Sequence, residues 1–210
     1  LQIHLNAAQE LVMPEGDRDL RHWSRGVADI AAAVDVPVVV KEVGFGLSRR
    51  TVETLAGCGV DAVDVAGAGG TDFIAIENAR RPDQDYSYLS GWGQPTALCL
   101  LEALGGEDPR LPVLASGGVR NPLDVVRCLA LGACAVGVSG HFLRTLSGRG
   151  AHGLEQELRT WTEHVRTLMT LLGAPDVRAL RRTDVLVTGR TAEQARLLGA
   201  DLDRLARRSG

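Results

Sequence analysis

Two hydrophobic periods alternate along this chain. Leu1, Ile3 and Leu5 interleave with Gln2, His4 and Asn6, the two-residue period of a strand near residues 2–6. A polar loop, Gln9-Glu-Leu-Val-Met-Pro-Glu-Gly-Asp-Arg18, follows. Over residues 20–34 the period lengthens, with Leu20, Trp23, Val27, Ile30, Ala31 and Val34 on one helical face. Pro37-Val-Val-Val-Lys41 has no alternation and reads as a strand buried on both faces. It ends in Lys41, Glu42, Gly44 and Gly46, and Ser48 is placed to cap a helix over 48–57. Further strands are predicted at 60–65, 112–115 and 133–138, and further helices at 96–104 and 122–131. Ser139-Gly-His-Phe142 opens a short helix. A long amphipathic one over 151–172 carries Leu154, Leu158, Trp161, Val165, Leu168 and Leu172 in phase and stops at Gly173. Residues 72–95 read as a long irregular stretch. The tail, 174–210, holds the apolar run 184–187 between helical pieces.

Five strands alternating with helices imply an α/β fold with a parallel sheet. An open doubly wound sheet and part of a (β/α)8 barrel both fit, and both collect function at the C-terminal ends of the strands. Gln9, Glu10, Lys41, Glu42, Thr71, Ser116, Gly117, Gly118 and Ser139 all fall there.

Composition narrows the setting. The chain has 210 residues, a net charge of −3 and 45% hydrophobic residues, as expected of a soluble globular domain. Mixed charge of both signs argues against nucleic acid as a partner. No apolar run approaches the roughly 20 residues of a membrane span. Cys58, Cys99, Cys128 and Cys134 are scattered in apolar stretches without a CxxC spacing, so buried free thiols in a reducing, cytoplasmic setting are expected.

The chemistry sits in the turns. Ser116-Gly-Gly-Val-Arg-Asn-Pro exposes backbone N–H groups, with Asn121 as cap and Pro122 at the first helical position. Gly137-Val-Ser-Gly140 offers a second set ahead of a helix. Two such turns in succession suit a phosphate. Lys41 is expected near a ligand ring or phosphate. Ala66-Gly-Ala-Gly-Gly-Thr71 lacks the ending of a nucleotide P-loop, but the Thr71 hydroxyl can reach a cofactor. Glu10 is a candidate for Mg²⁺, and His4 sits opposite the apolar face of its strand.

These residues resemble type 2 isopentenyl-diphosphate isomerase. The likeness is carried by residues 1–18, by Val40-Lys-Glu-Val-Gly-Phe-Gly46, by Ala66-Gly-Ala-Gly-Gly-Thr-Asp-Phe73 and by Ala115-Ser-Gly-Gly-Val-Arg120. Trp92-Gly-Gln and Gly140-His-Phe-Leu add to it, and it extends to about residue 172. The resemblance implies an FMN-dependent (β/α)8 barrel, of which the chain covers about the last five βα units, in residues 1–173, followed by a helical extension, 174–210, packed on the same domain. It implies interconversion of isopentenyl and dimethylallyl diphosphate by a 1,3-allylic proton shift, with reduced FMN, Mg²⁺ and NADPH as reductant, in a homotetramer or octamer. Carried over by motif, Gln9 would serve catalysis and substrate binding with His4 and Asn6. Glu10 would hold Mg²⁺, Lys41 and Thr71 would contact FMN, and Gly117, Gly118, Ser139 and Gly140 would hold its phosphate.

The family's chains are longer at the N-terminus, where they supply early strands, a basic Arg-Lys pair and further flavin contacts. Upstream sequence is therefore expected. The alternatives are a truncated half-barrel without activity and another FMN barrel oxidoreductase such as an α-hydroxyacid oxidase. For the latter, no catalytic His with a nearby Arg follows strand 60–65 or lies in the 72–95 stretch.

Overall fold

A computed structural model describes residues 1–81, 85–104 and 111–210. Five parallel strands form one sheet: β1 (Gln2–His4), β2 (Val39–Lys41), β3 (Ala62–Asp64), β4 (Val113–Ala115) and β5 (Ala135–Val136). Their spatial order is their chain order. A doubly wound sheet reverses direction partway across, whereas a barrel winds in one sense. The sequential order therefore decides for five strands of a (β/α)8 barrel.

The register fixes what each face carries. His4 pairs with Lys41, and Lys41 with Asp64, so these three side chains share the face that turns inward in a barrel. The opposite face carries Val38, Val40, Val63, Val65 and Val113, all buried under the helices. Each such burial stabilises the fold by about 1.5–3 kcal/mol. Val39 is only half-buried. The expectation of a strand buried on both faces thus holds for one face, because the inward face of five strands has no facing wall.

The helical layer follows the predicted order, with α2 (Trp23–Ala33), α3 (Arg49–Ala56), α5 (Thr96–Leu104) and α6 (Pro122–Leu131) between strands. Ser48 and Asn121 cap α3 and α6 by accepting from the Thr51 and Asp124 amides. Ile30, expected on the inward face of α2, is exposed, and Val27 is the buried anchor.

Two segments differ from expectation. The loop after β1 contains α1 (Ala7–Val12), because the Asn6 carboxamide accepts from the Gln9 amide at 2.6 Å and starts a helix. The Arg18 guanidinium then closes the turn onto the Met13 and Gly16 carbonyls at 2.9 and 2.8 Å. The 72–95 stretch, of which 82–84 lie outside the described residues, holds α4 (Phe73–Ala79), capped by Asp72, and a 3-10 turn at Ser87–Leu89. Ile74, in the first turn of α4, is fully buried with Val12 and Phe45.

After β5 comes α7 (Gly140–Leu171), broken at Gly150, where φ is 67° and ψ −175°. The short and long helices expected here are thus two arms meeting at that glycine. In the tail, α8 (Val177–Leu180), α9 (Gly189–Leu197) and α10 (Leu202–Leu205) follow. Ala192, Ala195, Leu202 and Leu205 join the main core. The 184–187 run is not a strand, although the Val185 amide donates to the Leu205 carbonyl.

Cys99 and Cys128 are buried as expected, and burial above all pushes their thiols up to about 12 and about 11. Cys134 is exposed, contrary to the expectation of a buried thiol, and Cys58 is half-buried. Cys134 lies just before β5, which among the described residues is an edge strand with one neighbour.

Candidate functional site

A cavity of about 450 Å³ opens at the C-terminal ends of β2 to β5, within the size range of cofactor pockets. Three turns build it. After β2, the Glu42 carboxylate turns back and accepts from the amides of Val43, Gly44 and Phe45 at 2.7, 2.9 and 2.6 Å. Burial of this carboxyl raises its pKa, against the opposing pull of those amides. Glu42 shapes the loop, and Lys41 beside it lines the cavity, its Nζ donating to the Glu42 carbonyl at 2.5 Å.

The second and third turns, after β3 and β4, interlock. A methyl group at Gly117, where φ is 90°, would stand 2.0 Å from the Gly67 carbonyl oxygen. One at Gly67 would stand 2.3 Å from the Thr96 nitrogen. Gly69 and Gly70 approach Gly118 less closely, a methyl group there standing 3.4 and 3.1 Å from its backbone. Thr96 Oγ1 donates to the Ser116 and Gly117 carbonyls, and Arg120 Nη2 donates to the Gly69 carbonyl at 2.8 Å. Ser116 Oγ donates to Asp64 Oδ2 at 2.8 Å, and Asp64 Oδ1 accepts from the Ala66 amide. The glycine runs are thus required first by the approach of two backbones.

The last wall is the start of α7. The first amides of a helix have no intrahelical acceptor, and Ser139 makes no side-chain cap bond. Gly140 and His141 open the helix at the cavity, with Arg144 one turn on. No carboxylate lines the cavity among the described residues, while Lys41, Arg120 and Arg144 do. Free amides at a helix start, two glycine turns and three cations are donors of the kind that can bind a phosphate monoester.

Of the residues singled out in the sequence, Lys41, Thr71, Gly117, Gly118, Ser139 and Gly140 are brought together here. The others cluster one strand away. His4 stands beside Lys41 on the inward face and is exposed. The buried Asn6 uses its oxygen as a cap and leaves Nδ2 without a partner. Gln9 reaches Glu77 at 3.4 Å, and Glu10 Oε2 accepts from the Asp17 amide at 2.8 Å. Among the described residues no group of three His, Cys, Asp or Glu side chains is placed to hold a metal. Glu10 is a single available carboxylate.

Sequence reasoning missed Arg144, His141 and Arg120 as cavity-lining residues, and Asp64 beneath the Ser116 turn. For Arg144 a signal existed, since four residues after Gly140 a helical side chain returns to the same face. Asp64 gave none, because its role depends on which strand becomes its neighbour.

A donor-lined cavity at the C-terminal mouth of a one-sense parallel barrel defines a class of protein, and the chain belongs to the FMN-dependent dehydrogenase family, whose model matches residues 4–187. The particular likeness is to isopentenyl-diphosphate delta-isomerases. The chain is 54% identical over 209 residues to that of Nocardia farcinica, 56% over 209 residues to that of a Streptomyces species, and 46% over 208 residues to that of Listeria welshimeri. These matches take in 100%, 100% and 99% of the chain. It spans only 57–58% of the length of these relatives. Among solved structures, a mandelate oxidase variant with 4-Br-2-hydroxy-methylphenylacetate superposes with a TM-score of 0.60 at 26% identity, covering 76% of this chain and 42% of that one. A second mandelate oxidase structure, with (S)-mandelic acid, gives 0.58 at 25% identity, over 79% and 44% of the two chains.

Proposed function

We propose that the chain forms the cofactor-binding side of an isopentenyl-diphosphate isomerase that interconverts isopentenyl and dimethylallyl diphosphate in isoprenoid synthesis. The observation that carries this reading is the identity of 54–56% along the whole chain to isomerases so named. The donor-lined cavity supports it.

The donors of the cavity fit FMN. Gly117, Gly118, Ser139 and Gly140 would hold its phosphate, with Arg144 adding charge, and Lys41 and Thr71 would meet the ring system. Reduced FMN, when bound, supplies acid–base chemistry next to the substrate, and NADPH is the proposed reductant. The remaining tasks fall to the cluster after β1. A 1,3-allylic shift needs a proton delivered to one carbon and removed from another, so the allylic group must be fixed against the flavin. Gln9 is too weak an acid to protonate an alkene, and its role is to orient that group. Asn6 offers the unpartnered Nδ2 and His4 an imidazole on the inward face as further substrate contacts. Glu10 would give one carboxylate oxygen to Mg²⁺, which prefers to complete its shell with water and substrate phosphates. We further propose residues 174–210 as a helical extension of the same domain, a homo-oligomeric assembly of four or eight subunits, and a cytoplasmic setting. Among the described residues no helix is long and apolar enough to cross a membrane.

The test is anaerobic incubation of the full-length protein, loaded with FMN and reduced by NADPH, with isopentenyl diphosphate and Mg²⁺. Dimethylallyl diphosphate should accumulate to equilibrium. A flavin-loaded protein that leaves the substrate untouched but oxidises mandelate would replace this reading with an oxidase.

A further inference from the structure

The break at Gly150 turns α7 into a hairpin. In a continuous helix, His141 and Glu157 would lie about 24 Å apart. Instead His141 Nε2 stands 3.0 Å from Glu157 Oε1. The His141 and Phe142 rings each pack 4.9 Å from the Trp161 ring, centroid to centroid. The far arm thus folds back onto the residues that open the near arm at the cavity.

Glu157 is the centre of this contact. Its Oε1 accepts from Trp161 Nε1 at 3.0 Å, and its Oε2 from Arg149 Nη1 at 3.1 Å. The bond to His141 above all, then that to Trp161, holds its carboxyl below the usual range. An ionised carboxylate only accepts, so His141 Nε2 carries a proton. The other nitrogen, Nδ1, has no partner among the described residues, and His141 lines the cavity.

We infer that His141 is a further ligand of the flavin phosphate, and that Glu157, from the opposite arm, is the positioning residue that orients the imidazole. This rests on the flavin reading above. Carboxylate, imidazolium and phosphate would then stand in line, the middle group donating from both nitrogens. The other charges facing this position are Arg149 at the end of the near arm, Arg144 one turn along, and Lys41 and Arg120 across the cavity. On α6, which packs against α7, Asp124 and Arg127 pair with each other.

The experiment is FMN binding to the full-length apoprotein, read by quenching of flavin fluorescence at about pH 6 and about pH 8.5, which bracket the ordinary histidine range. The FMN phosphate itself titrates near pH 6, so the quantity read is the ratio of variant to wild-type Kd at each pH. His141→Gln should weaken FMN about tenfold at the lower pH and little at the higher, from the loss of one charge-assisted hydrogen bond. Riboflavin, which lacks the phosphate, should bind variant and wild type alike. His141→Arg should restore affinity at both pH values. Glu157→Gln should weaken FMN at the lower pH by less than His141→Gln and leave riboflavin unaffected. A His141→Gln protein that matches wild type at both pH values overturns the inference and leaves the flavin site standing. Equal losses for riboflavin and FMN make His141 structural and overturn it too. A wild type that takes up no FMN overturns the flavin reading itself.

Discussion

The two strand-end regions solve different problems. The cavity after β2 to β5 is made of backbone: glycine turns pressed against each other, and amides at the start of α7. The region after β1 is made of side chains, with a capping Asn6, Gln9 at 3.4 Å from Glu77, and Glu10 tied to one amide. A backbone site is rigid because moving it moves two turns at once, which suits a cofactor that stays. A side-chain site with an unpartnered amide and a long hydrogen bond can readjust around a ligand, which fits the proposed substrate side. Substitutions in the two regions should therefore fail differently.

The largest effect should come from Gly117→Ala. With φ at 90° and the Gly67 carbonyl 2.0 Å from the added carbon, both turns must open. A loss of about 2–4 kcal/mol is expected in urea unfolding of the full-length protein, with FMN binding lost as well. If stability and FMN affinity both survive, the cavity is not built by backbone contact.

Lys41→Ala and Arg144→Gln should spare the fold and weaken FMN about 10- to 100-fold each, since each removes one charged donor. The unfolding midpoint should hardly move. Loss of fold with loss of flavin would mean that these cations are structural.

Asn6→Ala is the corresponding test after β1. It removes the cap of α1, at a cost of about 1 kcal/mol, offset in part because the unpartnered Nδ2 disappears with it. FMN affinity should be unchanged, while turnover of isopentenyl diphosphate falls.

Glu10→Gln should have the smallest effect on stability, under about 0.5 kcal/mol, because the glutamine oxygen can still accept from the Asp17 amide. Flavin should bind as before and Mg²⁺-dependent turnover should fall. Unchanged turnover would remove Glu10 from the metal proposal.

Much of the cavity could be read from the chain. Strand followed by glycine turn followed by capped helix is a local pattern, and it placed Lys41, Gly117, Gly118, Ser139 and Gly140 at one end of the sheet before their neighbours were known. The hairpin could not be read. The sequence separates a short helix after Ser139 from a long one over 151–172, with Gly148, Gly150 and Gly153 between, but not the angle at which they meet; the reversal shows only in contacts between the arms, His141 with Glu157 and Trp161 on His141 and Phe142. The helices α1 and α4 were hidden for another reason. Each is short and rests on one cap, Asn6 or Asp72. Such segments are too brief to show a period and gain their stability from burying Val12 and Ile74 against each other.

By itself the sequence determined the element order, the parallel sheet and the chemical character of the strand ends, because hydrophobic period, caps and glycine turns are local and act within a few residues. Tertiary structure decided the rest. It chose barrel winding over a doubly wound sheet, set Asp64 beside Ser116, locked Gly67 against Gly117, and folded Glu157 back onto His141. Each of these is a contact between residues 16 to 52 positions apart or the order of whole strands. Distances of that kind are set by packing the complete layer, which no local pattern encodes.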